Sequence, residues 1–594
     1  MPPLFRALPA PLRVFTAIVQ TLLPLAACLA LAQGASADEP ADGGFGDVVD
    51  VELVNVEVWV TDREGEPIRD LTQESFRVFE DGEEVEIQYF DVVRTAPGGF
   101  EPRPLEQSTR EDGLVTSAPE LITSRVDGSA AGPVESSAGW MVLYFDQLHL
   151  GKTQQTEIIA DLRDLVRSPT VDPERILVVR QSQNLVTETL FGSTEREVHR
   201  ALDRVEESDT AGNQGAQDKR LALADLQREW DRIRNSNIPT SDPCDLFPPQ
   251  AIRVVERYTQ ERLPRMQTSL DNLFVLSSFL AAIPGQKSLL YISDALETEP
   301  GADLIRFVED ACPNQRDVTN NFSFRGGLGS QFRRLTDHAN ANRVTVYAMQ
   351  AKGLETGFLS GVDQGSLEFR GAGGVERALR SVEREGLATL AGDTGGRTVF
   401  NQNDFTDSLI DISKDMGSYY SLAYVPRHGG DELSHRIEVK VEGRGLRVRH
   451  RQGYRDKDAD TRMTERLQGA LHLGWVENEW GVRLAMGTAE TARGRTRFPL
   501  HVRVPGSGLT FLPGAQGDTA RIRVQVLTRP LSGNEPFSHL ETFEMKKPGR
   551  LDLPVDFRVP VDLASGLHIL AVAVRDMASQ ETAILSTNLD LTRR

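Results

Sequence analysis

The chain has 594 residues, of which 39% are hydrophobic and 26% charged, and a formal net charge of -21. Such a length exceeds one hydrophobic core, so about three to four domains are expected, and the composition excludes both wholesale disorder and a multispanning membrane protein. The acidic balance disfavours nucleic acid, whose phosphates would be repelled without a concentrated basic face.

At the N-terminus Arg6 and Arg13 precede an apolar run from Val14 to Ala32, and Ala35-Ser36-Ala37 supplies small residues for cleavage. Residues 1–37 therefore read as a signal peptide, and the protein is expected to be exported to a periplasmic or extracellular destination. Leu25-Ala26-Ala27-Cys28 offers a competing processing site, at which a lipidated Cys28 would tether the chain to the cell envelope. A retained anchor helix is the third option. No later run is long enough to cross a bilayer. Cys244 and Cys312 are the cysteines of the mature part. In an oxidising compartment two such residues are more often paired than free, so a disulfide between them is one expectation.

Residues 47–93 alternate as strands do from Val49 to Val60, turn at Asp62-Arg63-Glu64-Gly65, and carry Asp81-Gly82 between two further apolar runs, a hairpin signal. This predicts a small immunoglobulin-like β-module. Residues 94–138, rich in Pro, Ser, Gly and Glu without periodicity, read as a linker. Over 139–456 short apolar strands alternate with amphipathic helices. Strands are expected at Met141 to Phe145, Ile176 to Arg180, Ser288 to Ile292, Val344 to Ala348 and Arg397 to Phe400. The helix after the first strand sets Ile158, Ile159, Leu162, Leu165 and Val166 on one face, as a helix covering a sheet must. The expected fold class is multidomain α/β plus all-β, its centre a Rossmann-like, doubly wound and mostly parallel sheet. A helical insertion over 209–268 and an irregular one over 298–329 interrupt it, and a β-hairpin trails it. After a polar segment near Asp458 to Arg466, the strict alternation of Leu500, Val502, Val504, then Ile522, Val524, Val526, then Leu551 to Val559 predicts a β-sandwich over 470–594.

Chemistry concentrates at Asp146-Gln147-Leu148-His149-Leu150-Gly151-Lys152-Thr153, between the first strand and its helix. A P-loop would need glycine where Asp146 stands, and a carboxylate there would project into a cradle meant for phosphate. Ligands in doubly wound folds bind at the carboxyl ends of strands, where Asp146 and Asp294 both fall. There is no Gly-x-Ser-x-Gly elbow and no His-Glu-x-x-His pair, and the ten histidines show no metal-ligand spacing. Arg444, Arg447, Arg449 and Arg451 read as the solvent face of one strand.

Several motifs together resemble one family. These are Val51 to Val60, Thr61-Asp62-Arg63-Glu64-Gly65-Glu66-Pro67, Glu80-Asp81-Gly82, Lys287 to Asp294, Asn342 to Ala348, Leu390 to Arg397, Ser418 to Pro426 and Val448 to Tyr454. In that order they resemble the bacterial VWFA-related domain proteins, over roughly residues 47–456. The resemblance implies a von Willebrand factor type A-like domain, export, and protein binding or scaffolding without catalysis. In the family's metal site an Asp-x-Ser-x-Ser loop and a later aspartate supply hard oxygens to Mg²⁺ or Mn²⁺. Asp146 and Asp294 match the aspartates, but Leu148 and Leu150 replace both serines, and His149 is the substitute ligand on offer. The site is therefore expected to be degenerate. The alternative is an envelope hydrolase with a carboxylate or metal-water centre in the same crevice.

Overall fold

The computed structural model describes residues 53–94, 139–236, 242–312, 314, 327–352, 372–402, 404–514, 517–531, 536–551 and 553–592. The expected signal peptide, Cys28 and residues 95–138 of the expected linker lie outside the described residues. Among the described residues no helix is long and apolar enough to cross a membrane.

The centre is a six-stranded sheet in the order Thr398–Val399, Val344–Gln350, Lys287–Ser293, Trp140–Asp146, Ile176–Gln181, Leu185–Thr187. All neighbours are parallel except the last pair, which is antiparallel. Numbered along the chain, the strands run 3-2-1-4-5-6, so the order reverses beside the first strand, at Asp146. Alternation explains the two layers of core. Met141, Leu143 and Phe145 face helices Lys152–Arg167, Glu195–Glu207 and Thr406–Gly417. Val142 and Tyr144 face Phe247–Phe279 and Gly329–Ala341 on the other side. All five apolar residues predicted for the face of Lys152–Arg167 are buried.

The helical insertion is larger than its predicted 209–268. Its second helix, Phe247–Phe279, runs on through Pro264, because Met266, Leu270, Leu273 and Leu276 recur at helical spacing and bury against the sheet. Its first half packs with helix Gly212–Arg234 and with Ala302–Ala311, which lies in the segment expected to be irregular. Cys244 and Cys312 are joined by a disulfide that staples these two insertions together.

The strands expected to form a separate module over 47–93 are instead completed from beyond the α/β domain. Val54–Thr61 pairs antiparallel with Ser418–Tyr424 and with Arg447–His450, and Tyr89–Arg94 pairs with the other edge of Ser418–Tyr424. Phe76–Glu80 pairs with Ser434–Val441, itself paired with Gly453–Arg455. The physical reason is area: one face of two short hairpins buries too little alone. Together the two four-stranded sheets enclose Val56, Val58, Phe76, Val78, Tyr420, Leu422, Tyr424 and Ile437. The expected trailing hairpin is thus the other half of the N-terminal unit.

The arginine row divides: Arg444 and Arg447 are exposed, as a solvent face requires, whereas Arg449 and Arg451 form a joint. Arg449 pairs with Asp415 at 2.7 Å, as does Arg397 at 2.8 Å. Arg451 is buried and donates to the carbonyls of Asn340 and Asn55, while Glu57 binds Arg343 across the same seam. Gly395 lies at φ +78°, where an added Cβ would sit 2.8 Å from the His450 backbone, so both conformation and space call for glycine.

The segment expected to be polar near Asp458 to Arg466 opens a helix, Ala459–Leu473, N-capped by Asp458 and closed by Gly474 at φ +66°. Met463, Leu467, Ala470 and Leu471 pack on Ala571, Ala573 and Ile584 of the C-terminal sandwich. That sandwich has one sheet built on Arg495–Pro505 and Pro554–Ala564 and a second in the order Phe537–Lys546, Thr519–Pro530, Leu567–Asp576, Thr582–Asp590. The predicted alternation of Leu500 to Val504 and of Ile522 to Val526 forms its core. Leu553, expected to continue that pattern, is exposed and precedes the strand.

Candidate functional site

Strand Trp140–Asp146 ends in a turn that His149 and Leu150 close by donating their N–H groups to the Asp146 carbonyl at 3.1 and 2.9 Å. The carboxylate of Asp146 is fully buried. Three donors converge on its Oδ2, the Tyr291 hydroxyl at 2.5 Å, His149 Nδ1 at 2.9 Å and Ser269 Oγ at 3.0 Å, while Ser293 Oγ, 3.4 Å away, has its shorter bond to the Ala295 carbonyl at 3.1 Å. Its Oδ1 accepts from Leu148 N–H at 3.2 Å. Burial alone would raise the Asp146 carboxyl. The neighbouring His149 and the hydrogen bonds from Tyr291 and Ser269 overcome that and hold it below the ordinary carboxylate range.

This donor set solvates an anion. A hard divalent cation needs lone pairs from several oxygens, whereas these groups turn hydrogens toward Asp146. Leu148 and Leu150, which stand where hydroxyl ligands are needed, are buried, Leu150 in the core under the sheet. The residues present therefore do not fit Mg²⁺ or Mn²⁺.

Asp294, expected as the second ligand, meets the same loop at Gly151, whose N–H donates to its Oδ2 at 2.9 Å. Its Oδ1 is buried without a hydrogen-bond partner. Burial pushes its carboxyl up to about 7, against the pull of Lys352 and of the Gly151 N–H. The folded state thus favours the protonated form. The stability this contributes is complete below the ordinary value of 3.8 and is lost as pH rises through about 7. Asp294→Asn keeps an acceptor for Gly151 and carries no charge. It is expected to shrink the fall in urea-unfolding free energy between about pH 5 and about pH 8 relative to wild type; an unchanged fall would refute the assignment.

The crevice is closed by the chain's own insertion. Ala211 N–H and Gly212 N–H donate to the carbonyls of Gln147 and Leu150 at 2.7 and 3.1 Å. A Cβ on Gly212 would lie 2.4 Å from the Leu150 backbone, so only glycine lets helix Gly212–Arg234 start there. Helix Phe247–Phe279 brings Ser269 to Asp146 and Arg262 to Glu297, the latter pair 2.6 Å apart and buried. Lys219 is buried between Asp303 at 2.6 Å and Glu383 at 2.8 Å, and Lys352 reaches the other oxygen of Glu383 at 2.9 Å. Sequence reasoning found Asp146, His149 and Asp294 but not Ser269, Tyr291 or Lys219, whose partners are distant in the chain. The apolar Leu148 and Leu150 were the signal available that this loop faces the interior. One feature of a base remains: His149, oriented by Asp146 through Nδ1, is buried with Nε2 unpartnered.

A cavity of about 670 Å³ sits where the N-terminal strands, the α/β domain, helix Ala459–Leu473 and the C-terminal sandwich meet. Arg343, Arg462, Arg466 and Arg575 line it beside Glu465 and Glu477.

No family model matches the chain, and no curated protein matches it. Two solved structures of proximal thread matrix protein 1 from the mussel byssus align at 13% and 12% identity over 47% of this chain, each with a TM-score of 0.21. The chain spans about half the length of that protein (48% and 47%). A likeness this loose carries no argument.

Proposed function

We propose that the chain is an exported, non-enzymatic protein-binding scaffold whose central domain is of the von Willebrand A type with a degenerate metal site. One observation carries this reading: the strand-end crevice, where a doubly wound fold holds its ligand, is filled by the chain's own helices, with Asp146 consumed by internal donors. The strand order and the two strand-end aspartates agree with the motif resemblance. The Cys244 to Cys312 disulfide agrees with an oxidising compartment. With the crevice closed, partner contact moves to the cavity beside Arg462, which is concave and large enough for side chains of another protein. The hydrolase alternative draws on the free Nε2 of His149.

A photoreactive residue at Arg462 or Gln580 is expected to capture a protein partner in intact envelopes, and one at Lys152, beside the strand end, is not. The purified chain is expected to show no turnover of envelope polymers. Capture from Lys152 alone, or hydrolysis that His149→Gln abolishes, would overturn the proposal.

A further inference from the structure

The ten histidines carry no recognisable ligand spacing in the sequence, yet two of them meet in the interdigitated N-terminal sandwich. His428 lies in the loop after strand Ser418–Tyr424, and His435 is the second residue of Ser434–Val441. Their rings stack with centroids 3.5 Å apart and planes 16° from parallel. Four carboxylates surround them. His435 Nε2 is 3.2 Å from Asp431 and its Nδ1 is 2.8 Å from Asp81. His428 Nδ1 is 3.1 Å from Asp456 and 3.9 Å from Asp431, and its Nε2 faces Glu80 at 3.5 Å.

We propose that His428, Asp431 and His435, with Asp456 as fourth ligand, form a structural site for a divalent transition metal of the zinc class. One ligand atom from each of the first three residues lies within 4.8 Å of the others. Two ligands about 2.1 Å from a tetrahedral Zn²⁺ stand about 3.4 Å from each other. The contacts of Asp431 with His435 and of Asp456 with His428, at 3.2 and 3.1 Å, are close to that spacing; the contact of Asp431 with His428, at 3.9 Å, needs a shift of about half an ångström, and the stacked rings must rotate out of parallel for both in-plane lone pairs to meet one ion. Two imidazole nitrogens with carboxylate oxygens favour zinc over Mg²⁺ or Ca²⁺, which take oxygens alone.

The outer contact of His435 fits as well. A metal-bound imidazole donates its other N–H to a carboxylate, which fixes the tautomer. His435 turns Nδ1 to Asp81, and His428 turns Nε2 toward Glu80, itself held by the hydroxyls of Tyr424 at 2.8 Å and Tyr454 at 2.9 Å. His435 therefore has Nε2 on Asp431 and Nδ1 on the outer Asp81, whereas His428 Nε2 stands 3.5 Å from Glu80 without a hydrogen bond. The loop itself is pinned where Glu432 N–H donates to the Asp456 carbonyl at 2.8 Å, which holds Asp456 beside His428. Because Asp81 belongs to the turn after Phe76–Glu80, the metal would tie the N-terminal strands to those that follow the α/β domain.

The test is calorimetric titration of Zn²⁺, with Mg²⁺ as control, into the EDTA-stripped full chain. One equivalent of Zn²⁺ is expected to bind with submicromolar Kd and to raise Tm, and Co²⁺ in its place to give a tetrahedral visible spectrum. His428→Ala and His435→Ala are expected to abolish binding. Asp81→Asn is expected to weaken it about tenfold, and His501→Ala, at the exposed pair with Asp556, to leave it unchanged. Should the histidine variants fail to fold, Asp431→Asn, at an exposed position where the amide oxygen still accepts from Leu433 N–H, gives the same readout. No Zn²⁺ binding by the folded wild type, or full binding by His428→Ala/His435→Ala or by Asp431→Asn, would overturn the proposal.

Discussion

Replacing Lys219 by methionine is expected to lower the unfolding free energy by about 3–5 kcal/mol at neutral pH. The methionine fills the volume of the lysine stem but strands two acids. Asp303 is wholly buried and Glu383 nearly so, 2.6 and 2.8 Å from the ammonium that the change removes. Lys352 still reaches Glu383, whereas Asp303 is left as an uncompensated charge in the interior. The pH dependence gives an independent check. Burial would raise the Glu383 carboxyl, but Lys219 and Lys352 together depress it below the ordinary 4.5. Its contribution is therefore present above about pH 4.5 and is lost as pH falls below that. In the variant much of that depression is gone, so the difference from wild type should narrow as the solution is acidified. Equal stability of the two proteins at neutral pH, measured by urea unfolding, would show that the insertion helices are not locked onto the strand ends as described.

Asp146→Ala is expected to cost a similar amount, about 3–5 kcal/mol, because it leaves the Tyr291 and Ser269 hydroxyls, His149 Nδ1 and the Leu148 N–H without their shared acceptor. The experiment separates two roles of an aspartate. A carboxylate kept for a metal is surrounded by other oxygens, and its removal in EDTA relieves repulsion and leaves stability unchanged or improved. A carboxylate that anchors a turn is missed at once. Urea unfolding in EDTA should show the loss undiminished, and a stabilised variant would restore Asp146 as a metal ligand.

How much of this could be read from residue order depends on the distance over which each feature is determined. Helix Lys152–Arg167 was legible because its five apolar residues recur within one element, and the strand ends at Asp146 and Asp294 because an apolar run stops at each. The 47–93 segment misled because local alternation says that a strand has a buried face, not which strand lies beside it; the partner of Val54 is Tyr424. Arg449 and Arg451 misled in the same way, while Arg444 and Arg447 do face solvent, since a face free of apolar residues can point to solvent or to Asp415. Motifs such as Asn342-Arg343 and Asp393-Thr394-Gly395-Gly396-Arg397 lie largely along that joint, with Arg343 on Glu57 and the Asp393 carbonyl accepting from Gln452 N–H at 2.9 Å. Their specificity therefore speaks for architecture more than for a ligand. His428 and His435 escaped notice because they lie in a loop and at the start of a strand, where no periodicity brings two residues together, and the loop between them folds back on Asp456.

The pairing of Val54–Thr61 with Ser418–Tyr424 also sets the order in which a newborn chain can finish folding. A ribosome delivers the first strand long before its partner, so Val54, Val56, Val58 and Val60 must wait, with the strand's N–H and C=O groups unpaired, while the whole α/β domain is made. A product cut short before residue 418 would never cover that edge and would offer it to other chains as a template for aggregation. Completeness of synthesis is thus checked by the fold itself: the earliest of the described strands to leave the ribosome is among the last to be buried.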